Sequence, residues 1–270
     1  MTKITQKPDG SVTFDLIIPK AKIAEEYQHA LLEVAKTTQI KGFRPGKAPI
    51  KMVESQVDKS RLYSHVLDHV LSPAYSEVIH EYKLIPLVEP RVTPKGMEEG
   101  KDWIMEVVVA VSPEINLGDY SKIVTGALKK HGNEHKEDKD AKPEALKDHK
   151  LNVIFDALID GVKFDVAPLL IEEETKSALT RLSSQLSGLK LSIADYAKSI
   201  KKTAEELVEE YKKSAEANLK LEFILQKLIE DKKPEVTEAE VAEMKPQKGQ
   251  EGYARYVLQK RKVLDFLAEL

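Results

Sequence analysis

The chain has 270 residues, 41% hydrophobic, 32% charged and only 6% aromatic, with a net charge of −3. That supports a mostly aliphatic core and excludes any argument for a nucleic-acid or membrane partner from net charge alone. There is no cysteine, which excludes disulfides, thiolate metal sites and cysteine nucleophiles.

No stretch approaches the ~18 apolar residues of a membrane span, and Met1–Lys7 lacks the apolar run of a signal peptide. A soluble, cytoplasmic protein with no membrane partner is expected. Residues 12–18 alternate, with Val12, Phe14, Leu16 and Ile18 on one side, which predicts a half-buried strand closed by Pro19. The period then changes: Ile23, Tyr27, Ala30, Leu31 and Val34 share a helical face, and this helix should fail near Thr37–Thr38. Two glycines and two prolines between Gly42 and Pro49 predict a loop. A helical pattern resumes at Ile50, and a longer helix is expected over about 60–82 through Val66, Val70, Ala74 and Val78. Two strands should follow, Pro86–Val92 and Trp103–Val111, joined by a turn over Pro94–Gly100. Strand, helix, loop, helix, strand, strand predicts an α+β domain over residues 1–115, a small three-stranded antiparallel sheet covered by helices.

From Gly126 to His149 almost nothing is available to bury, so residues 116–143 are read as a linker. Beyond it, 144–270 reads as all-helical. Leu151, Ile154, Phe155 and Leu158 mark one helix, with a break at Asp160–Gly161. Ile171, Thr175, Ala178, Leu179, Leu182, Leu186 and Leu189 mark a second, with Glu172–Glu174 expected in its first turn, where the helix dipole favours acids. Thr203-x-x-Glu206 and Thr237-x-x-Glu240 are capping boxes that should open two more, the first of these stopping at Pro234, and a last helix starts at about Gly252.

Several constellations can be weighed for function. Between Lys36 and Arg61 the window carries a net charge of +5, whereas the final 120 residues carry −3. At the centre of that basic window, the loop tip offers Phe43 with Lys41, Arg44 and Lys47. Arginine can grip a phosphate or carboxylate with two parallel bonds and Phe43 can add apolar contact, or the segment is a connector with ordinary solvated cations. His65 and His69, four apart on a helix, suit metal ligation geometrically, but no third ligand is apparent and surface histidines are expected; His131 and His135 share the spacing within the linker. No metal, cofactor or catalytic residue is assigned, because Glu172–Glu174 and Glu205–Glu206 are explained by capping and dipole effects. The apolar stripes of the C-terminal helices serve either core or binding.

The segment Gly42-Phe43-Arg44-Pro45-Gly46-Lys47-Ala48-Pro49 resembles the ribosome-docking signature of trigger factors: Gly-Phe-Arg, one variable residue, Gly-Lys, one variable residue, Pro. Pro113–Tyr120, Val166–Glu174 and Val263–Leu267 resemble further segments of that family. The resemblance implies an N-terminal ribosome-binding domain and a C-terminal chaperone domain with helical arms. It implies docking by Gly42, Phe43, Arg44, Pro45, Gly46, Lys47 and Pro49 on the large ribosomal subunit, against ribosomal protein and rRNA near the polypeptide exit. It also implies sheltering of nascent or unfolded polypeptides without ATP, and the chain has no Gly-x-x-x-x-Gly-Lys-Ser/Thr loop. Family members usually carry an FKBP-like prolyl isomerase between the two parts, which needs on the order of 80–100 residues. Gly126–His149 is far shorter and contains no aromatic residue, so the isomerase is expected to be absent. Oligomeric state stays open, a weak homodimer included. Prolyl isomerase activity and a helical RNA- or protein-binding adaptor are the alternatives.

Overall fold

The computed structural model describes residues 3–44, 46–134 and 143–270. The chain divides into two compact units, Met1–Lys7 with Ser11–Val111, and Pro8–Gly10 with Ser112–Leu270.

The first unit is built on an antiparallel sheet of order β1-β2-β4-β3: β1 Ile4–Gln6, β2 Ser11–Ile18, β3 Arg91–Gly96 and β4 Trp103–Ala110. Strand alternation places one apolar row of β2 directly opposite one of β4, pairing Val12 with Val109, Phe14 with Val107, Leu16 with Met105 and Ile18 with Trp103. All eight are buried. Helices α1 (Lys20–Thr37) and α3 (Lys59–Glu81) close this face with Ile23, Leu31, Leu62, Val66, Val70 and Val78. Between them runs the short α2 (Ile50–Gln56). The opposite face is solvated. There Asp15 and Glu106 sit directly opposed, a repulsive pair, and Lys95 Nζ reaches both carboxylates at 2.7 and 2.8 Å.

The sheet differs from the sequence reading in two ways. It has four strands rather than three, since Ile4–Gln6 pairs with Val12–Phe14. The third strand lies at Arg91–Gly96 rather than Pro86–Val92, so Pro94 is inside a strand instead of opening a turn. Pro94 is tolerated because β3 is an edge strand with a register irregularity between Pro94 and Gly96.

The second unit is helical: α4 (Tyr120–Glu134), α5 (Pro143–Gly161), α6 (Pro168–Gly188), α7 (Ile193–Ser199), α8 (Ala204–Lys232), α9 (Glu238–Glu243) and α10 (Glu251–Glu269). At 29 residues α8 spans about 43 Å. Its N-terminal half packs Leu207 with Leu182, Leu186 and Ala197 of α6 and α7. Its C-terminal half packs Ile224, Leu225 and Leu228 with Val124, Ile154, Leu158, Val263 and Leu267 of α4, α5 and α10. One long helix thus serves two separate apolar clusters, which makes α6, α7 and the start of α8 an arm. Capping boxes open α7, α8 and α9, with Ser192 and Asp195 supplying one that the sequence reading passed over.

Two expectations change in this unit. The stretch read as linker begins as helix: Tyr120, Val124 and Leu128 recur every four residues, and Val124 is fully buried. Helix α6 starts at Pro168, a favoured first position, so Glu172–Glu174 fall in its second turn.

Every non-glycine residue with positive φ among those described is a lysine, Lys83, Lys190, Lys201, Lys233 and Lys245, each just past a helix end. Lys233 caps α8 at φ 46°, its N–H donating to the Ile229 carbonyl. A side chain is strained in this conformation, whereas glycine is not. Lys233→Gly should therefore stabilise the second unit by somewhat under about 1 kcal/mol, since glycine also loosens the unfolded chain. Urea unfolding followed by far-UV circular dichroism measures this.

A polar clasp ties α8 to α10. Tyr256 donates to Glu222 Oε1 at 2.6 Å and Lys260 pairs with the other carboxylate oxygen. Burial alone would raise the Glu222 carboxyl. The hydrogen bonds from Lys260 and Tyr256 outweigh it and hold the group below its ordinary 4.5, while burial and the Glu222 charge push the Tyr256 phenol up. A depressed carboxyl stabilises the fold above its unfolded-state value and loses that contribution as pH falls through the folded value. Glu222→Gln should thus be less stable than the parent at neutral pH and lose less further stability below about pH 4.5, as read from unfolding midpoints at pH 7 and pH 3.

Candidate docking loop

The loop between α1 and α2 is tethered at both ends. Thr38 ends α1 by donating its hydroxyl and its N–H to the Val34 carbonyl. Ile40, 2% exposed, is packed into the core of the first unit, and Val53 of α2 is fully buried. Two successive turns lie between these anchors. Phe43 N–H donates to the Ile40 carbonyl at 3.0 Å, and Lys47 N–H donates to the Arg44 carbonyl at the same distance. Each turn has glycine at its third position with positive φ, Gly42 at 91° and Gly46 at 77°. That conformation suits glycine and strains other residues, so both glycines are required by the backbone. Pro49, at φ −58°, precedes α2 and accepts from the N–H groups of Met52 and Val53. Pro45 lies outside the described residues.

The turns bring Phe43 and Arg44 to the junction between them, with Lys41 and Lys47 on either side. All four are exposed, Phe43 at 39%. Among the described residues none of these three cations forms an ion pair. The acids nearest in sequence are engaged elsewhere. Glu33 faces His65 at 3.9 Å, Glu54 accepts from the Tyr27 hydroxyl at 3.1 Å, and Asp58 caps α3. Burial and the bond to Glu54 push the Tyr27 phenol up to about 12. The loop therefore carries an unneutralised positive field around one exposed ring. Ile50 and Met52 at the start of α2 are also exposed, at 39% and 42%, and sequence reading missed them because helical periodicity alone did not separate them from core.

The other weighed residues are accounted for locally. His65 and His69 stack ring on ring at 4.6 Å, and no group of three or more metal-ligating side chains occurs among the described residues. The side chains of His131 and His135 lie outside what the structure describes. Glu173 pairs with Lys176 and Glu174 with Arg181, while Glu206 closes the Thr203 capping box at 2.8 Å. In the second unit α6, α7 and α8 line an open groove of about 600 Å³, floored by Leu179, Ile193 and Val208. Leu179 was legible only as part of a stripe that mixes core residues such as Leu182 and Leu186 with the exposed Leu189. No helix among the described residues is long and apolar enough to cross a membrane.

Residues 1–146 match the family described as bacterial trigger factor protein, and residues 133–247 match that family's C-terminal part. The chain belongs to the trigger factor family. The two matched stretches meet, so the chain is a trigger factor without the isomerase domain that usually lies between them. Trigger factor of Listeria welshimeri is 37% identical over 111 residues, 41% of this chain and 26% of the relative. Trigger factor of Staphylococcus epidermidis is 35% identical over 121 residues, 44% and 28% respectively. The chain thus aligns with about a quarter of the length of these relatives. A solved structure described as "Promiscuous Substrate Recognition in Folding and Assembly Activities of the Trigger Factor Chaperone" superposes on all of this chain and 99% of its own, with a TM-score of 0.68 and 14% identity. At that identity the likeness speaks for the fold: an α+β N-terminal part followed by a helical C-terminal part.

Proposed function

We propose that the chain is a ribosome-associated chaperone of the cytoplasm that works without nucleotide and without catalysis. The first unit docks on the large ribosomal subunit near the polypeptide exit, and the second shelters emerging or unfolded chains. The observation that carries this reading is the two-turn loop, which holds Phe43, Arg44 and Lys47 in solvent with no carboxylate to neutralise them. Gly42, Gly46 and Pro49 set its backbone, and Pro45 completes the motif. A fixed loop pays less entropy on docking than a floppy one, and exposed cations steer it to an anionic surface. Arg44 and Lys47 meet rRNA phosphate or acidic side chains, and Phe43 enters an apolar niche.

Sheltering is supported by the arm groove and by exposed Leu189, Leu191 and Val208 along the same arm. Dispersed apolar area of this kind binds unfolded segments weakly and reversibly, with no energy source.

Two measurements test the two halves. The chain should co-sediment with bacterial ribosomes, and it should suppress aggregation of a chemically unfolded protein in buffer without nucleotide. Binding to isolated RNA with no effect on aggregation would replace this reading with an RNA-binding adaptor. Turnover of a proline peptide would reinstate the isomerase.

A further inference from the structure

We infer that the first unit carries a separate binding site, a pocket at the start of α1 that takes the ammonium group of a lysine side chain presented by another polypeptide. The pocket, of about 180 Å³, lies between α1, α3 and the turn that joins β3 to β4, and Tyr27, Tyr63 and Trp103 line it. Their rings follow one another at 5.3 and 5.7 Å, inclined by 41° and 63°. They therefore make a curved aromatic wall rather than a flat stack. A cavity of about 150 Å³ holds a benzene-sized group, so this one has room for a butylammonium chain.

The wall suits a cation. An aromatic face attracts an ammonium group, most strongly where water is excluded. Tyr27 donates its hydroxyl to Glu54 at 3.1 Å, and burial, the charge of Glu99 and a hydrogen bond to it push the Tyr63 phenol up. Each ring is thus polarised by a carboxylate, which makes its face richer in electrons. Glu99 lines the pocket itself. Its neighbour Lys59 stands off at 3.7 Å, too far for a hydrogen bond, which leaves acceptor capacity for an incoming ammonium. Lys20 and Lys101 line the pocket too, and they repel a ligand that brings further positive charges. That selects an ammonium whose other end is neutral, as in a peptide-linked lysine, over a polyamine. The cavity is preformed, because the Lys20 N–H donates to Asp102 Oδ1 at 2.8 Å and ties the start of α1 to the β3–β4 turn. About 20 Å of helix separates Ala24 beside the pocket from Thr38, where the docking loop begins.

The test titrates the full chain and follows the backbone amide resonances of Ala24 and Gly100, which border the pocket. Nα-acetyl-lysine amide should shift them saturably, with a Kd of about 1 mM for so small a ligand. Nα-acetyl-norleucine amide, the same chain without the charge, should bind at least about tenfold more weakly, and spermidine no more tightly than the lysine amide. Glu99→Gln, at an exposed position, should weaken lysine-amide binding about fivefold. Ala24→Leu, also at an exposed helical position, should fill the pocket and abolish the Gly100 shift, with thermal unfolding as the control for folding. Equal binding of the norleucine amide, or undiminished binding by folded Ala24→Leu, overturns the inference. Tighter binding of spermidine overturns the polypeptide source. No arm uses ribosomes, so each result is read independently of the docking loop.

Discussion

Alanine at Phe43, Arg44 and Lys47 together will remove ribosome co-sedimentation and leave the fold unchanged. Binding energy at interfaces concentrates in a few anchors, and aromatic and arginine side chains lead among them. This loop offers one of each at its tip, with Lys47 beside them. Losing two anchors of about 2 kcal/mol each corresponds to roughly a thousandfold in affinity, enough to take binding out of a pelleting assay. All three side chains are exposed, and neither turn hydrogen bond uses a side chain, so thermal stability should shift by no more than about 0.5 kcal/mol. Residual binding should also depend less on salt, because two screened charges are gone. Undiminished co-sedimentation of a folded variant would remove the loop from the docking surface.

The second large effect concerns the core beneath that loop's helices. Trp103→Ala should cost about 3–5 kcal/mol, a large fraction of the 5–15 kcal/mol typical of a domain. Trp103 is 2% exposed, pairs across the sheet with Ile18, and meets Tyr63 edge-on at 5.7 Å, which in turn lies 5.3 Å from Tyr27. Truncation leaves a large cavity between rigid elements, two strands and two helices, that cannot collapse to fill it. Denaturant unfolding followed by far-UV circular dichroism reads the loss. A variant as stable as the parent would mean that this aromatic row does not hold the first unit together.

The sequence carried most of this fold where side chains repeat with a clear period. The eight apolar residues of β2 and β4 alternate strictly, and they pair across the sheet as that alternation demands. The backbone of the candidate docking loop was legible because glycine and proline spacing encodes its turns: its two positive-φ positions are the two glycines, Gly42 and Gly46. The failures also have physical reasons. Ile4–Gln6 is too short to show alternation, and it becomes a strand only because β2 offers it an edge. Pro94 reads as a turn, since a strand tolerates proline only at an edge, and edges are properties of the folded sheet. Helix α4 was hidden by its polar C-terminal end, although Tyr120, Val124 and Leu128 already marked a face. Ile50 and Met52 lay beyond reach for another reason. Periodicity locates a helix but does not say which of its apolar residues will find partners.

Trp103 is the only tryptophan in the chain. It is buried in the first unit, so its emission reports one half of the molecule. The second unit, with its tyrosines and long helices, is silent at tryptophan wavelengths yet dominates the far-ultraviolet helical signal. Nature has thus installed a site-specific fluorophore without engineering. If red-shift of the emission and loss of helicity occur at different denaturant concentrations, the halves melt independently. If the two curves superimpose, they melt as one cooperative body.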